Sequence, residues 1–179
     1  KYLVLAATLF LFGCAHPLAG PPSRLAKSAG NIPEVACRVD KPCVVHHIME
    51  GQVNGDTTEE AIDWLTAAEK AKATVFVLEI NTPGGSVAAG FRLVKRIENS
   101  SIPIACVVDG MAASMGFYIL QACPMRVMTM RSVLMTHEPS ISGDMGLTPN
   151  EMKALADSLR ALREAMARHC NKRLTTSLE

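Results

Sequence analysis

The chain has 179 residues, 49% of them apolar and 20% charged, which suits a single buried core of ordinary size. Its net charge is +1, aromatics make up 4%, and no basic run occurs, so composition excludes an electrostatic surface for nucleic acid. There is no Gly-x-x-x-x-Gly-Lys phosphate loop, so any ATP-driven step would have to come from a partner.

Lys1 precedes an apolar run from Tyr2 to Phe12, followed by Gly13-Cys14-Ala15. A charged start, a short apolar stretch and a small residue before cysteine form the pattern of a secretory signal. The run is too short to span a bilayer as a helix. Leu11-Phe12-Gly13-Cys14 also resembles a bacterial lipobox, which would make Cys14 the lipidated residue. Residues 1–14 are therefore expected to be signal peptide and lipobox. Residues 15–35, with Pro17, Gly20, Pro21 and Pro22, read as a flexible tether, and 36–179 as the folded domain. The expectation is an envelope protein facing the periplasm, held at the membrane through its lipid or leader. The alternative is a cytoplasmic protein with a short propeptide.

Cys37 and Cys43 open the domain, and export would allow them to close a short disulfide loop. With His46 and His47 they match no standard zinc spacing. The two histidines should also face opposite sides of a strand, so no metal site is expected. Strand is predicted over Val44 to Glu50, then helix over Thr58 to Lys70, with Thr57 and Glu60 as a capping box. A second buried strand runs from Thr74 to Ile80 and ends in Asn81-Thr82-Pro83-Gly84-Gly85-Ser86, a turn whose Gly-Gly pair leaves backbone N–H groups unshielded. A side chain at Gly85 is expected to obstruct whatever approaches those groups.

Helix follows over Ser86 to Asn99, and strand over Ile102 to Val108. The turn Gly110-Met111-Ala112-Ala113 then leads into a helix over Ser114 to Ala122, and Cys106 and Cys123 read as small core residues. The Ser114 hydroxyl sits among side chains of almost no bulk, where helix N–H groups point outward. Many serines at such turns are only helix caps. Short strands over Arg126 to Thr129 and Val133 to His137 end in Thr136-His137-Glu138-Pro139. A serine needs a base such as His137 to react near neutral pH, although a strand-end histidine often only bonds a neighbour. Thr148-Pro149-Asn150-Glu151 opens a long helix with a cap, a first-turn proline and an acidic third residue. Met152, Leu155, Leu159, Leu162 and Met166 line one side of it, opposite Lys153, Asp157, Arg160, Arg163 and Glu164.

The series INTPGGSV, GMAASMG and MTHEP, in this order, resembles the proteolytic subunit family of the Clp protease, over a stretch from about Ile48 to the end. The resemblance implies an α/β crotonase-like fold of stacked ββα units with a long C-terminal handle helix. It implies a serine peptidase with Ser114 as nucleophile, His137 as general base and the Gly85 and Met115 N–H groups as oxyanion hole. No cofactor and no metal belong to that scheme. Peptides or unfolded proteins would be the substrates of a homo-oligomeric ring, with an ATPase unfoldase as partner only if the protein is cytoplasmic.

The family completes its triad with an aspartate after the long helix. The stretch from Leu174 to Glu179 resembles the segment just before it, so the third acid is expected beyond Glu179. Asp109 and Asp144 are the in-chain substitutes, and each reads better as a solvated turn residue. Two other functions compete. Signal peptide peptidase A shares a PGGSV-like loop but uses a lysine base, and a non-catalytic envelope scaffold would keep only the fold.

Overall fold

The computed structural model describes residues 34–38, 40–141 and 146–174, so Cys14, the leader, most of the tether and Asp144 lie outside the described residues. Parallel strands β1 (Val44–Glu50), β2 (Val75–Thr82), β3 (Ile104–Ala113) and β4 (Met125–Met128) lie side by side in that order. They are joined by helices α1 (Gly55–Lys70), α2 (Val87–Glu98) and α3 (Met115–Ala122). This is the expected α/β architecture. A parallel pair needs a crossover, and right-handed crossovers between successive neighbours put every helix on the same face.

Strand periodicity shows where that face is. Val45, His47 and Met49 on β1, Phe76, Leu78 and Ile80 on β2, and Ile104, Cys106 and Val108 on β3 are buried beneath the helices. The alternate positions form an open face, where Ile48, Met125 and Val127 are exposed. His46 and His47 do point to opposite sides. His46 pairs with Glu79 at 3.0 Å on the open face, while His47 is buried against Trp64, with ring centroids 5.9 Å apart.

The start of α1 differs from the predicted one. Asn54 is the cap, its side chain accepting from the Thr57 N–H at 3.0 Å while the Thr57 hydroxyl accepts from the Asn54 N–H at 3.1 Å. The box is displaced by three residues because Asn is at least as good an N-cap as Thr and starts the helix earlier. At the other end, Lys72 takes a left-handed φ of 54° that closes a Schellman turn, its N–H and that of Ala73 reaching the Glu69 and Ala68 carbonyls.

Both disulfides among the described residues hold sheet to surroundings. Cys37–Cys43 ties the incoming chain to the start of β1, as export would allow. Cys106 and Cys123 are buried as expected but are bonded to each other, linking β3 to the end of α3. Their identity as plain core residues is thus corrected: the Cα atoms are 5.9 Å apart, within bridging range.

β3 is longer than predicted. Its pairing shifts register between Ile80 and Thr82 of β2, where Asp109, Gly110 and Met111 bulge, and it then continues to Ala113. The extension exists because β3 acquires a new parallel partner, β5 (Val133–Met135), in the register Met111–Val133 to Ala113–Met135. The C-terminal helix α4 (Pro149–Leu174) starts with the expected cap, Glu151 accepting from the Thr148 N–H at 2.8 Å. Only its far end joins the core, through Met166 and Cys170.

One charged junction ties α1 to α2 and to the turn that leads into β3. Glu69, at the end of α1, accepts from Arg96 Nη1 at 3.1 Å, Ser100 Oγ at 3.1 Å and the Ser101 N–H at 2.9 Å. The Arg96 hydrogen bond chiefly pulls its carboxyl from 4.5 to about 2. Burial, with His46 alongside, lowers His47 from 6.5 to about 4. Below pH 6.5 the unfolded chain protonates at His47 before the folded one, so stability falls from there towards pH 4. The Glu69 contribution, complete above pH 4.5, is lost as pH falls to about 2. Glu69→Gln is expected to cost roughly 1.5–3 kcal/mol at pH 7 by urea unfolding. It should also flatten the curve below pH 4.5 while leaving the His47 limb intact. Wild-type stability at pH 7 would show that this junction does not hold the two helices and the turn together.

Candidate active site

The site assembles where three strands end. β2 delivers the loop Pro83 to Ser86, β3 delivers Ser114, and β5 leads to His137 two residues past its last residue. Ligands of open α/β sheets gather at these carboxyl ends, because the chain must turn there and its loops are free to diverge.

Ser114 occupies φ 53°, ψ −117°, a backbone state that costs a non-glycine residue about 1–3 kcal/mol. Lys72 shares a positive φ but is accounted for by its helix-end turn; Ser114 is not. Its side chain caps nothing, although it stands at the N-cap position of α3. The capping role that the sequence left open is thereby excluded. The conformation is held by main chain: the Ser114 N–H donates to the Met135 carbonyl at 2.7 Å, continuing the β3–β5 ladder. The half-buried hydroxyl is therefore presented at the turn, unused by the helix behind it.

The Gly84-Gly85 turn lies directly on this serine. A side chain on Gly84 would begin 2.6 Å from Ser114 Cβ and 2.7 Å from the Ala113 carbonyl oxygen. Gly85 contacts a different neighbour. A side chain there would begin 2.3 Å from the Val53 carbonyl oxygen, so the expected obstruction of an incoming molecule is replaced by a clash with the fold. Val53 anchors the loop, its N–H donating to Gly84 and its carbonyl accepting from Ser86. Among the described residues, the N–H groups of Gly85 and Met115 take part in no hydrogen bond. Met115 is the first residue of α3, where an unbonded N–H is inherent to a helix start.

His137 is exposed, and its Nδ1 lies 2.7 Å from the Glu138 carbonyl oxygen. A carbonyl only accepts, so Nδ1 carries the proton and the neutral ring keeps a lone pair on Nε2. No hydrogen bond joins Ser114 and His137 among the described residues; register places them at the ends of adjacent strands. Asp109 is elsewhere, in the bulge, exposed and accepting from the Thr129 hydroxyl at 3.2 Å. Among the described residues no group of three or more His, Cys, Asp or Glu side chains is placed to hold a metal.

A family model described as Clp protease matches residues 44–179, from the first strand through the last helix. The chain belongs to the Clp protease family. Within that family it is similar to the ATP-dependent Clp protease proteolytic subunit 1 of Chlamydia pneumoniae, 45% identical over 82 residues, or 45% of this chain and 42% of that protein. The corresponding subunit of Chlamydia trachomatis serovar D is 42% identical over 83 residues, 45% of this chain and 42% of the relative. That of Protochlamydia amoebophila is 39% identical over 83 residues, 45% of this chain and 39% of the relative. The chain thus spans about two fifths of the length of the curated relatives it matches.

Sequence reasoning missed the Met135 carbonyl and Gly84 as the supports of Ser114. The strand signal in Val133 to Met135 was present, but its partner was not readable. The site's rigidity is testable without assuming its chemistry. Gly84→Ala has to fit a methyl into the Ser114 turn at φ 97° and is expected to lose roughly 2–4 kcal/mol of stability. A melting temperature equal to that of the wild type would show that the loop does not press on Ser114.

Proposed function

We propose that this protein is a serine endopeptidase that hydrolyses peptide bonds through an acyl-enzyme on Ser114. The observation that carries the reading is the strained Ser114, whose hydroxyl caps nothing and stands beside two unbonded backbone N–H groups. Ser114 Oγ attacks the substrate carbonyl carbon while His137 Nε2 takes the hydroxyl proton. The carbonyl oxygen becomes an oxyanion stabilised by the Gly85 and Met115 N–H groups. Collapse of the tetrahedral adduct breaks the C–N bond, and His137 gives its proton to the leaving amine. Water, deprotonated by the same imidazole, then releases the acid and restores Ser114.

Two features support assembly into a homo-oligomeric ring. Parallel sheets are normally covered on both faces, and here the face with Ile48, Met125 and Val127 is open. α4 also keeps Met152 exposed and Leu155, Leu159 and Leu162 only half-buried, which suits a handle meeting its counterpart. Peptides or unfolded chains are the substrates that such a ring would admit.

The two disulfides support maturation in an oxidising compartment, consistent with a lipid-anchored envelope protein carrying its anchor on Cys14. In a compartment without ATP the enzyme would act on short or unfolded peptides without an unfoldase. The second reading, a scaffold that keeps the fold without chemistry, is favoured by one observation: Ser114 and His137 are not hydrogen-bonded to each other.

An active-site serine probe separates the two. In the full-length protein Ser114 should be labelled, Ser114→Ala should abolish turnover of a peptide ester, and His137→Ala should lower it by roughly 10³-fold or more. An inert Ser114, or near-normal turnover by the His137 variant, would overturn the mechanism. For localisation, cells expressing the full gene should carry the protein in the membrane fraction, and Cys14→Ser should release it. Both versions soluble in the cytoplasm with the leader uncleaved would refute the anchor.

A further inference from the structure

Thr82 stands at the end of β2, fully buried and paired with Ala112 of β3 just past the bulge. Its side chain has two branches, and each meets a different half of the proposed site. The hydroxyl accepts from the Gly84 N–H at 3.1 Å, a buried bond that folds the chain back across Pro83. The methyl lies on the first turn of α3, where a side chain on Gly116 would begin 2.3 Å from Thr82 Cγ2. Gly84 precedes Gly85 and Gly116 follows Met115, so one residue touches the chain neighbours of both unbonded N–H groups.

The turn has a second anchor in Val53, whose N–H donates to the Gly84 carbonyl at 2.8 Å. In a trans peptide C=O and N–H point in opposite directions, so that bond turns the Gly85 N–H away from Val53. It sets an orientation but not the spacing between this turn and α3. Thr82 supplies the spacing, because a β-branched side chain is stiff at χ1 and here bears on Gly84 and Gly116 at once. From this geometry we infer that Thr82 is a positioning residue that sets the separation of the two backbone donors of the oxyanion hole. The catalytic consequence rests on the peptidase reading above, whereas the hydrogen bond and the packing do not. Two substitutions separate the branches. Thr82→Ser keeps the acceptor without the methyl, and Thr82→Val keeps the shape but leaves the buried Gly84 N–H unpaired.

The test uses the full-length protein, turnover of a small peptide ester, and a peptide aldehyde whose carbon adds Ser114 Oγ and whose oxygen then sits in the hole. Thr82→Val should lower kcat about 10–50-fold and weaken the aldehyde by a similar factor, with KM for the ester within about twofold. Thr82→Ser should move both readouts in the same direction by roughly 3–10-fold. By amide exchange, the Gly84 N–H should be protected in the wild type and in Thr82→Ser, and unprotected in Thr82→Val. A merely structural Thr82 would reduce the fraction of sites that the aldehyde titrates and leave the affinity of the remaining sites unchanged; that result overturns the inference. So does an unprotected Gly84 N–H in the wild type. If neither the wild type nor the variants take up the aldehyde while Gly84 exchange follows this pattern, the peptidase reading fails and the tie from Thr82 to the turn stands.

Discussion

The site depends on β3 changing partners partway along its length. Up to Val108 the strand pairs with β4, and from Met111 it pairs with β5. A strand that stayed with β4 would leave its last residues without a ladder, and the chain would turn several residues earlier. Instead the bulge carries the pairing on to Ala113, and the hydrogen bond from Ser114 to Met135 closes the series. That bond does two things at once. It fixes the serine in an otherwise unfavourable backbone state, and it sets the distance from β3 to the segment bearing His137.

The energetics fit this picture. A positive φ at serine persists only where its surroundings allow no alternative. Here the surroundings are main chain on every side: the β5 ladder, the Gly84 turn and the start of α3. Backbone contacts of this kind tolerate much change in side chains elsewhere. The peripheral charges, Glu69 with Arg96 and Glu138 with Arg163, act differently. The first ties two helices together, and the second joins α4 to the loop after β5.

Much of the fold was legible because it is periodic. The strand Val44–Glu50 matches its predicted bounds, and the Thr148–Glu151 cap is where the sequence places it. The chemistry-bearing motifs fell at strand ends, as α/β topology requires. What was not legible is relational. Nothing in Asp109-Gly110-Met111 announces that a strand continues beyond it, since the glycine reads as a break and only the distant Val133–Met135 makes extension favourable. Cys106 and Cys123 look like core residues by their surroundings, and their bond needs the β3–α3 geometry to be seen. Gly84 and Gly85 are alike in sequence, and only the positions of Val53 and Ser114 separate their roles.

The Cys106–Cys123 bridge brackets the turn it serves: Ser114 lies near the middle of a loop whose ends are 17 residues apart. In the unfolded chain a closure of that length removes conformational freedom worth about 3 kcal/mol, comparable to the upper cost of the serine's backbone state. The covalent link also limits how far local fluctuation can spread. If α3 lifts from the sheet, its end remains moored to β3, which keeps the two at high effective concentration for reclosure.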